Sequence, residues 1–285
     1  MFRFSFVFFL SYILSSYCLY GVEIYAHQGE SMLAPENTPQ SIKLAFDKGA
    51  KFAEFDVSIT DSGEMVCVHW DEQLKYIWGI DKPVSKLTRQ DIENSKLSPK
   101  NRFAEEYPDA KLATLDQILA VVPANAYLLV DIKIFNADFP KKFDDAIIKA
   151  GLKRSHMYIP VGLLEHFRKI SREYNKAMYS VYLHKPSSEK NLTAEQIIET
   201  AKNFKMAKYL KSINIGQAGQ GEEFLKRLND VDFFKKIKAA GFKAGAWTTD
   251  DPKLAKKLID EYGIDILYTN KAAEMKEKLG LTKAN

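Results

Sequence analysis

Two carboxylates two positions apart give the strongest chemical signal in the sequence. Glu54 and Asp56 lie in the run Phe52–Val57, whose aromatic and β-branched residues are typical of a strand. Because side chains alternate faces along a strand, both acids point the same way. Neighbouring carboxylates repel each other and are costly to desolvate, and a hard divalent cation relieves both penalties. The pair therefore indicates a metal site; a solvated polar face on an edge strand is the alternative.

Further ionisable residues follow other apolar runs. His27 and His69 each end such a run, and Asp131 and Lys133, again two positions apart, lie near the end of Tyr127–Ile134. Three carboxylates suit an oxygen-preferring cation such as Ca²⁺ or Mg²⁺, and two histidines exchange protons near neutral pH. A lysine adds fixed positive charge, so the set describes a phosphate-ester site. The alternative for either histidine alone is a hydrogen-bonded structural residue.

The elements that would position these residues alternate in the order of a TIM barrel. Predicted strands are Val22–His27, Phe52–Val57, Tyr127–Ile134, His156–Pro160, Ala177–Leu183, Ser212–Ile215, Phe242–Thr248 and Asp265–Thr269, with Glu64–His69 as a hairpin partner of the second strand. Predicted helices are Thr38–Gly49, Leu115–Val122, Phe139–Ala150, Leu163–Tyr174, Ala194–Lys205, Glu222–Ala240, Pro252–Tyr262 and Ala272–Leu279. About eight strand–helix units in about 250 residues predict a (β/α)8 barrel, whose working residues gather at the carboxyl ends of the strands. A doubly wound open sheet is the alternative, and the lack of a glycine-rich loop after the first strand disfavours it.

One polar stretch interrupts this alternation. Residues from Asp71 to about Thr114 are predicted to be irregular, with one short helix near Thr88–Ser95. We interpret residues 22–285 as one barrel domain, with a small insertion of about residues 58–114 after the second barrel strand.

The N-terminus is typical of a secretory signal peptide. Arg3 precedes the apolar run Phe4–Leu14, which is short for a membrane span, and small residues follow it. We expect residues 1–21 to be cleaved and the protein to be secreted or periplasmic; an uncleaved anchor and lipidation at Cys18 are alternatives. After cleavage Cys67 would be the one remaining cysteine, which excludes a disulfide-stapled fold.

Composition sets broad limits on function. The 285 residues are 46% hydrophobic and 27% charged, with a formal net charge of +4, as in ordinary globular domains. No block of like charge stands out, so the sequence gives no indication of nucleic-acid binding. No stable protein partner is indicated either, and a small-molecule substrate is the expected partner.

A string of motifs resembles the glycerophosphodiester phosphodiesterase family. The matching motifs are Ala26–Gly29, Pro35–Thr38, Gly49–Ala50, Glu54–Val57, Thr60–Gly63, His69, Thr114–Leu115, Val130–Lys133, Ala246–Thr248 and Gly263–Asp265. The resemblance covers nearly the whole chain after the N-terminal segment. It implies a TIM barrel and metal-dependent cleavage of glycerophosphodiesters to glycerol 3-phosphate and an alcohol.

Roles for individual residues follow from the same resemblance. It implies that His27 and His69 form the acid–base pair, and that Glu54, Asp56 and Asp131 bind the metal, Ca²⁺ or Mg²⁺. The implied substrate-binding residues are Lys133, Gln28, Glu36 and Trp247. For Trp247, a barrel-core aromatic residue is an equal alternative.

Three positions depart from the family pattern. Gln28 replaces the usual arginine, Asp131 replaces the usual glutamate, and Trp70 separates His69 from Asp71, which are adjacent in the family. Loss of the arginine removes a bidentate phosphate contact, for which another cation such as Lys75 could compensate. These departures leave two alternatives open: a phospholipase D-like lipid phosphodiesterase, and a non-catalytic relative that binds phosphodiesters.

Overall fold

The computed structural model of the protein describes residues 21–161, 178–183, 193–203, 209–216 and 232–281, together with residues 219, 221 and 225. The strands are β1 (Glu23–Ala26), β2 (Phe52–Ile59), β3 (Met65–Cys67), β4 (Ala113–Thr114), β5 (Tyr127–Ile134), β6 (Met157–Val161), β7 (Met178–Leu183), β8 (Leu210–Gly216), β9 (Lys243–Trp247) and β10 (Ile266–Thr269). The helices are α1 (Pro39–Asp47), α2 (Asp71–Trp78), α3 (Arg89–Glu93), α4 (Leu115–Leu119), α5 (Phe139–Lys149), α6 (Ala194–Lys202), α7 (Phe233–Ala239), α8 (Pro252–Asp260) and α9 (Ala272–Lys278). None of the helices in the described part of the chain has the length and apolar character needed to span a membrane.

Eight parallel strands of the described residues close into a barrel. Their order around the ring is β1-β2-β5-β6-β7-β8-β9-β10, and β1 pairs with both β2 and β10. This double pairing removes the sheet edges, so the open doubly wound alternative is wrong and the predicted TIM barrel is confirmed. Strand β3 pairs antiparallel with β2, as the predicted hairpin requires, and β4 pairs with β3 outside the ring.

Local sequence sets where several helices begin. Thr38 and Thr114 each accept a hydrogen bond from a backbone N–H in the first turn of the next helix, and Thr193 does the same for α6. Pro39 then occupies a first-turn position of α1, where its missing N–H costs no hydrogen bond. Each of these threonines fixes the residue at which its helix begins.

Two apolar layers lie on opposite sides of the barrel wall. The outward-facing side chains of β2, Ala53, Phe55 and Val57, pack with the helices in the larger cluster. A smaller cluster inside the barrel contains Tyr25 and Tyr268, whose ring centroids lie 4.9 Å apart. The inner positions of β2 nearer its carboxyl end are acidic instead, so the chemistry lies above this interior aromatic layer.

The predicted strands agree with the observed ones to within two residues at every described end, and β5 has its predicted bounds. Helix α4 ends at Leu119, three residues earlier than predicted. The predicted helix Leu163–Tyr174 lies outside the described residues. So does most of the first half of the predicted helix Glu222–Ala240, whose described C-terminal part is α7.

The segment between β2 and β5 is more ordered than its sequence predicts. Helix α2 was missed, and it begins at Asp71, where the prediction was an irregular chain. Its Leu74, Ile77 and Trp78 are buried in a separate apolar cluster with residues of the following loops, such as Phe103. An eight-residue helix carries little periodic signal of its own, and here packing against distant residues stabilises it.

Candidate active site and metal centre

The register of two barrel strands brings the three candidate metal ligands together. In the parallel pair β2–β5, Asp56 lies opposite Asp131, while Glu54 lies one inward-facing position below Asp56. Carboxylate oxygens of these three residues all lie within 4.8 Å of one another. Glu54 and Asp56 are only 3% and 1% exposed, and β2 is an interior strand of the barrel. The alternative of a solvated edge strand is therefore wrong.

Lys133 lies among these carboxylates. Its Nζ is 2.6 Å from Oδ2 of Asp131 and 3.0 Å from Oδ1 of Asp56. Burial alone would lower the pKa of Lys133, but Asp56 and Asp131 outweigh it and raise this pKa above its usual value. The lysine is therefore a fixed positive charge at any physiological pH.

The two acids of β2 have opposite pKa shifts. Burial, reinforced by the negative charges of Asp56 and Asp131, raises the pKa of Glu54 well above its usual value. Burial also acts on Asp56, but Lys133, His69 and a hydrogen bond from Asn37 overcome it and lower the pKa of Asp56. The ionised form of Glu54 is thus penalised by its surroundings, which is the situation that a bound cation relieves.

Each histidine approaches a different carboxylate. His27 Nε2 lies 3.9 Å from Oε2 of Glu54, and His69 Nε2 lies 3.9 Å from Oδ1 of Asp56. Burial lowers the pKa of His69, against the opposing effect of Asp56. Both rings are partly accessible, so they form the solvent-facing side of the acidic cluster.

These residues surround one small cavity. It has a volume of about 30 Å³ and is lined by His27, Glu54, Asp56, His69, Asp131, Lys133, Trp247 and Tyr268. A space of this size holds an ion or a water molecule, and the rest of any substrate must extend toward solvent. Trp247 is the last residue of β9 and lines the same cavity as the ionisable residues. The carboxyl ends of the strands therefore meet here, as the sequence predicts.

Gln28 does not line the cavity but holds two of its carboxylates by hydrogen bonds. Its backbone N–H donates to Glu54 Oε2 at 2.8 Å, and its side-chain Nε2 donates to Asp56 Oδ2 at 2.7 Å. Gln28 has φ 55°, and Gly29 follows with φ 81° at a point where a Cβ would lie 2.5 Å from the backbone of Ser41. This tight left-handed turn aims two Gln28 donors at two neighbouring carboxylates.

Two neutral amides missed by the sequence analysis complete this support. Asn37, also in a left-handed conformation with φ 57°, donates to Asp56 Oδ2 at 2.8 Å and accepts from the Asp56 backbone N–H. Gln73 on α2 donates to Gln28 Oε1 and accepts from the backbone N–H of His69 at 2.7 Å. Asn37 lies inside the Pro35–Thr38 motif, which could have identified it, whereas Gln73 has no such signal.

Three other candidates lie away from the cavity. Glu36 is partly buried, which raises its pKa, but it is not among the residues that line the cavity. Asp71 accepts a hydrogen bond from the backbone N–H of Val84, and so stabilises the next loop. Lys75 is exposed and paired with Asp81.

Behind His27 the structure shows a further pair that the sequence analysis missed. His27 Nδ1 lies 2.8 Å from Oδ1 of Asn270, and Asn270 Nδ2 donates to Oδ2 of Asp250 at 2.8 Å. Both residues follow the carboxyl ends of barrel strands, β9 and β10. Their places just after strand ends are the same sequence signal that marks His27 and Asp131.

The protein is a TIM barrel that carries three carboxylates, a lysine and two histidines at the carboxyl ends of its strands. The model of the Glycerophosphoryl diester phosphodiesterase family matches residues 27–274. The chain belongs to this family. The curated relatives include a glycerophosphodiester phosphodiesterase of Bacillus subtilis, 25% identical over 86% of this chain and 82% of the relative.

Other relatives match over shorter lengths. A glycerophosphodiester phosphodiesterase of Caldanaerobacter subterraneus is 29% identical over 45% of this chain, and this match spans about half, 51%, of that protein. Among solved structures, an Oleispira antarctica phosphodiesterase in complex with the product sn-glycerol-3-phosphate has a TM-score of 0.71 and 20% identity, covering 92% of this chain and 98% of the other. A glycerophosphodiester phosphodiesterase of Parabacteroides distasonis has a TM-score of 0.67 and 20% identity, with the same two coverages. These structures support the same barrel fold.

Proposed function

We propose that this protein hydrolyses glycerophosphodiesters to glycerol 3-phosphate and an alcohol. The observation that carries the proposal is that His27 and His69 each lie 3.9 Å from a different carboxylate of one acidic cluster, beside Lys133. Two proton-transfer groups on one cation-binding cavity match the needs of phosphodiester cleavage. The family and the product named for the Oleispira structure support the choice of substrate and product.

Glu54, Asp56 and Asp131 would hold a divalent cation, Ca²⁺ or Mg²⁺. The donor set fits such an ion because all three ligands are hard oxygen atoms, and because the raised pKa of Glu54 marks a carboxylate that needs positive charge nearby. Asp131 is half-buried and reaches the same space from the neighbouring strand. When bound, the cation would supply charge for the phosphate oxygens.

The two histidines would move protons on opposite sides of the phosphate. One would accept the proton of the glycerol 2-hydroxyl as its oxygen forms a bond to phosphorus. The other would donate a proton to the alcohol oxygen as its bond to phosphorus breaks. These two transfers would leave a cyclic glycerol phosphate and release the alcohol. Water would then open the ring, so that the diester and one water molecule give glycerol 3-phosphate and the free alcohol.

Of the remaining candidates, Lys133 and Trp247 line the cavity and would contact the substrate. Lys133 would pair with a phosphate oxygen, since its charge is fixed and it lines the cavity. Trp247 would present an apolar face to the glycerol carbons. We propose that Gln28 acts through its hydrogen bond to Asp56. Glu36 is not among the residues that line the cavity, so it would support the site without touching the reacting phosphate.

The reaction is tested by release of glycerol 3-phosphate from glycerophosphocholine. The protein is first treated with a chelator, and Ca²⁺, Mg²⁺ or Mn²⁺ is then restored. Metal-dependent release is the expected result, and lysophospholipid assayed in parallel tests the lipid alternative. Folded protein that releases no product with any of these ions would contradict the proposal.

We also propose that residues 1–21 direct export and are then removed. The basic start and the apolar run Phe4–Leu14 support this, although they lie outside the described residues. N-terminal sequencing of the exported protein, expressed from its full sequence, is the direct test. Full-length protein retained in the cytoplasm would contradict it.

A further inference from the structure

We infer that Asn270 and Asp250 are positioning residues that fix which ring nitrogen of His27 carries the proton. They would hold the hydrogen on Nδ1 and leave Nε2 to exchange protons in the cavity. The inference concerns His27 itself and deepens the proposed function, on which its catalytic meaning rests. It begins from a chain of short hydrogen bonds that runs from His27 through Asn270 to Asp250.

Asp250 is held in one orientation by the last residue of β10 and the residue after it. Its Oδ1 accepts from the hydroxyl of Thr269 and from the backbone N–H of Asn270, each at 2.8 Å. Its Oδ2 is left for the side chain of Asn270, also at 2.8 Å. A carboxylate can only accept hydrogen bonds, and here all three of its partners are donors.

The orientation of the Asn270 amide follows from that carboxylate. An ionised carboxylate has no proton to donate, so the amide group facing Asp250 must be the NH₂. The amide oxygen therefore faces His27. The hydroxyl of Ser31 lies 3.1 Å from the same oxygen and 2.9 Å from the backbone carbonyl oxygen of His27, so its single proton is shared between these two acceptors.

The tautomer of His27 follows in turn. A carbonyl oxygen only accepts, so Nδ1 of His27, 2.8 Å away, must be protonated. In neutral His27 the lone pair is then on Nε2, which faces the cavity 3.9 Å from Glu54 Oε2. Every proton that His27 exchanges with a substrate would pass through Nε2, whichever direction the transfer takes.

His69 has no comparable support in the part of the chain that the structure describes. Gln73 contacts its backbone N–H rather than its ring, and the ring packs edge-on against Trp70 with centroids 3.6 Å apart. The two histidines therefore differ: one has its tautomer fixed through two residues behind it, and the other is held by packing. This difference gives the inference a specific signature.

The signature is the effect of Asp250→Asn. The new amide at position 250 would still have to accept from Thr269 and from the Asn270 backbone through its oxygen, so its NH₂ would face the Asn270 side chain. The Asn270 amide would then turn over and present its own NH₂ to His27 Nδ1. This donor pairs only with an unprotonated Nδ1, so the proton of neutral His27 should move to Nε2.

The exchanged pair, Asp250→Asn with Asn270→Asp, should restore the original tautomer. The carboxylate now at position 270 would accept from His27 Nδ1 and Ser31 with one oxygen, and from the new amide at position 250 with the other. Every hydrogen bond from His27 through residue 270 to residue 250 is then present. Only the direction of the bond between residues 250 and 270 is reversed. The matched control is Asp251→Asn, which removes the neighbouring carboxylate. The Asp251 side chain caps α8 by accepting from the backbone N–H of Lys253, and it makes no hydrogen bond to His27, Asn270 or Asp250.

The test uses the whole protein labelled with ¹⁵N-histidine, treated with a chelator, at an alkaline pH where imidazole is neutral. Long-range ¹H–¹⁵N spectra distinguish the two tautomers, and loss of a signal in His27→Gln assigns His27. We expect the Nδ1–H form in the unmodified protein, in the exchanged pair and in Asp251→Asn, and the Nε2–H form in Asp250→Asn. An Nε2–H form in the unmodified protein, or an unchanged tautomer in Asp250→Asn, would overturn the inference.

Kinetics provide an independent readout. Asp250→Asn should lower kcat on glycerophosphocholine by on the order of 10- to 100-fold, with little change in KM, and the exchanged pair should recover most of that loss. A merely structural role would reduce thermal stability without this recovery. The spectra do not require activity, so an inactive protein with the expected tautomers would contradict the proposed function and leave this inference standing.

Discussion

Gln28 Nε2 and Asp56 Oδ2 are joined by a buried hydrogen bond of 2.7 Å. The glutamine occupies the position where the family resemblance implies an arginine that binds phosphate. In this protein the side chain instead fixes the orientation of a proposed metal ligand. The same amide accepts from Gln73, so that α2, the first loop and β2 are connected at one point.

Replacing Gln28 with methionine should therefore destabilise the protein. Gln28→Met keeps the side-chain length but removes a donor from a buried carboxylate, which typically costs about 1.5–3 kcal/mol. Denaturant unfolding measures the loss, and Gln90→Met on the exposed surface of α3 is the control. Equal stability of the two variants would show that the Gln28 side chain does not support Asp56.

Glu54→Gln should raise the thermal stability of the chelated protein. The oxygen that accepts from the Gln28 backbone N–H is kept, while burial and repulsion from Asp56 and Asp131 no longer penalise a charge. The same change should abolish the stabilisation that Ca²⁺ or Mg²⁺ gives to the unmodified protein. Thermal unfolding with and without metal provides both measurements.

Glu105→Gln, an exposed acid in the segment after β3, is the matched control for that change. It should leave both the chelated stability and the metal-induced stabilisation as they are. A Glu54→Gln protein that metal still stabilises fully would remove Glu54 from the proposed ligand set.

Replacing either site histidine should reduce activity without unfolding the protein. His27→Ala and His69→Ala should each lower kcat by about 10²- to 10⁴-fold, the usual contribution of one acid–base group. Circular dichroism should show a folded protein in both. His156→Ala is a control because His156 packs on Tyr127 near the start of β5, at the opposite end of the barrel from the site. Full activity of either site variant would exclude that histidine from the mechanism.

A site residue could be predicted from the sequence where its own strand fixes its direction, and could not where its position depends on contacts with distant residues. Glu54, Asp56 and Asp131 could be placed because strand alternation and parallel register fix their direction. Asn37 could be identified only as a member of the Pro35–Thr38 motif, and its contact with Asp56 could not be predicted because it depends on a left-handed loop. Gln73 could not be identified at all, because it lies on a helix that contacts this loop only in the folded chain. Neutral amides also carry no chemical signal until their partners are known.

The missed helix α2 shows the same limit at the level of the fold. Its apolar residues Leu74, Ile77 and Trp78 are too few to define a period, and they pack on residues far along the chain, such as Phe103. This packing also positions Gln73, and through it the backbone of His69. Leu74→Ala should thus cost about 2–5 kcal/mol of stability, and Tyr76→Ala should cost far less, because Tyr76 is 65% exposed.

Lys133 supplies the last prediction, because its ammonium would compete with the proposed divalent cation. It lies 2.6 Å from Asp131 and 3.0 Å from Asp56, two of the three proposed ligands. A unit positive charge this close to a cation site costs more than about 1.4 kcal/mol even at an effective dielectric constant of about 20, so Lys133→Met should tighten metal binding by at least about tenfold. Titration calorimetry with Ca²⁺ and with Mg²⁺ measures the change.

The same variant should lose activity, since the positive charge that would bind the phosphate is gone. Tighter metal binding with slower turnover would show that the carboxylates bind the cation and that Lys133 binds the phosphate. It would also show that the charge of Lys133 lowers the affinity of the site for the metal. Lys75→Met is the control, because Lys75 is exposed and paired with Asp81. Weaker metal binding in Lys133→Met would instead mean that Lys133 orders Asp56 and Asp131 for the cation rather than competing with it.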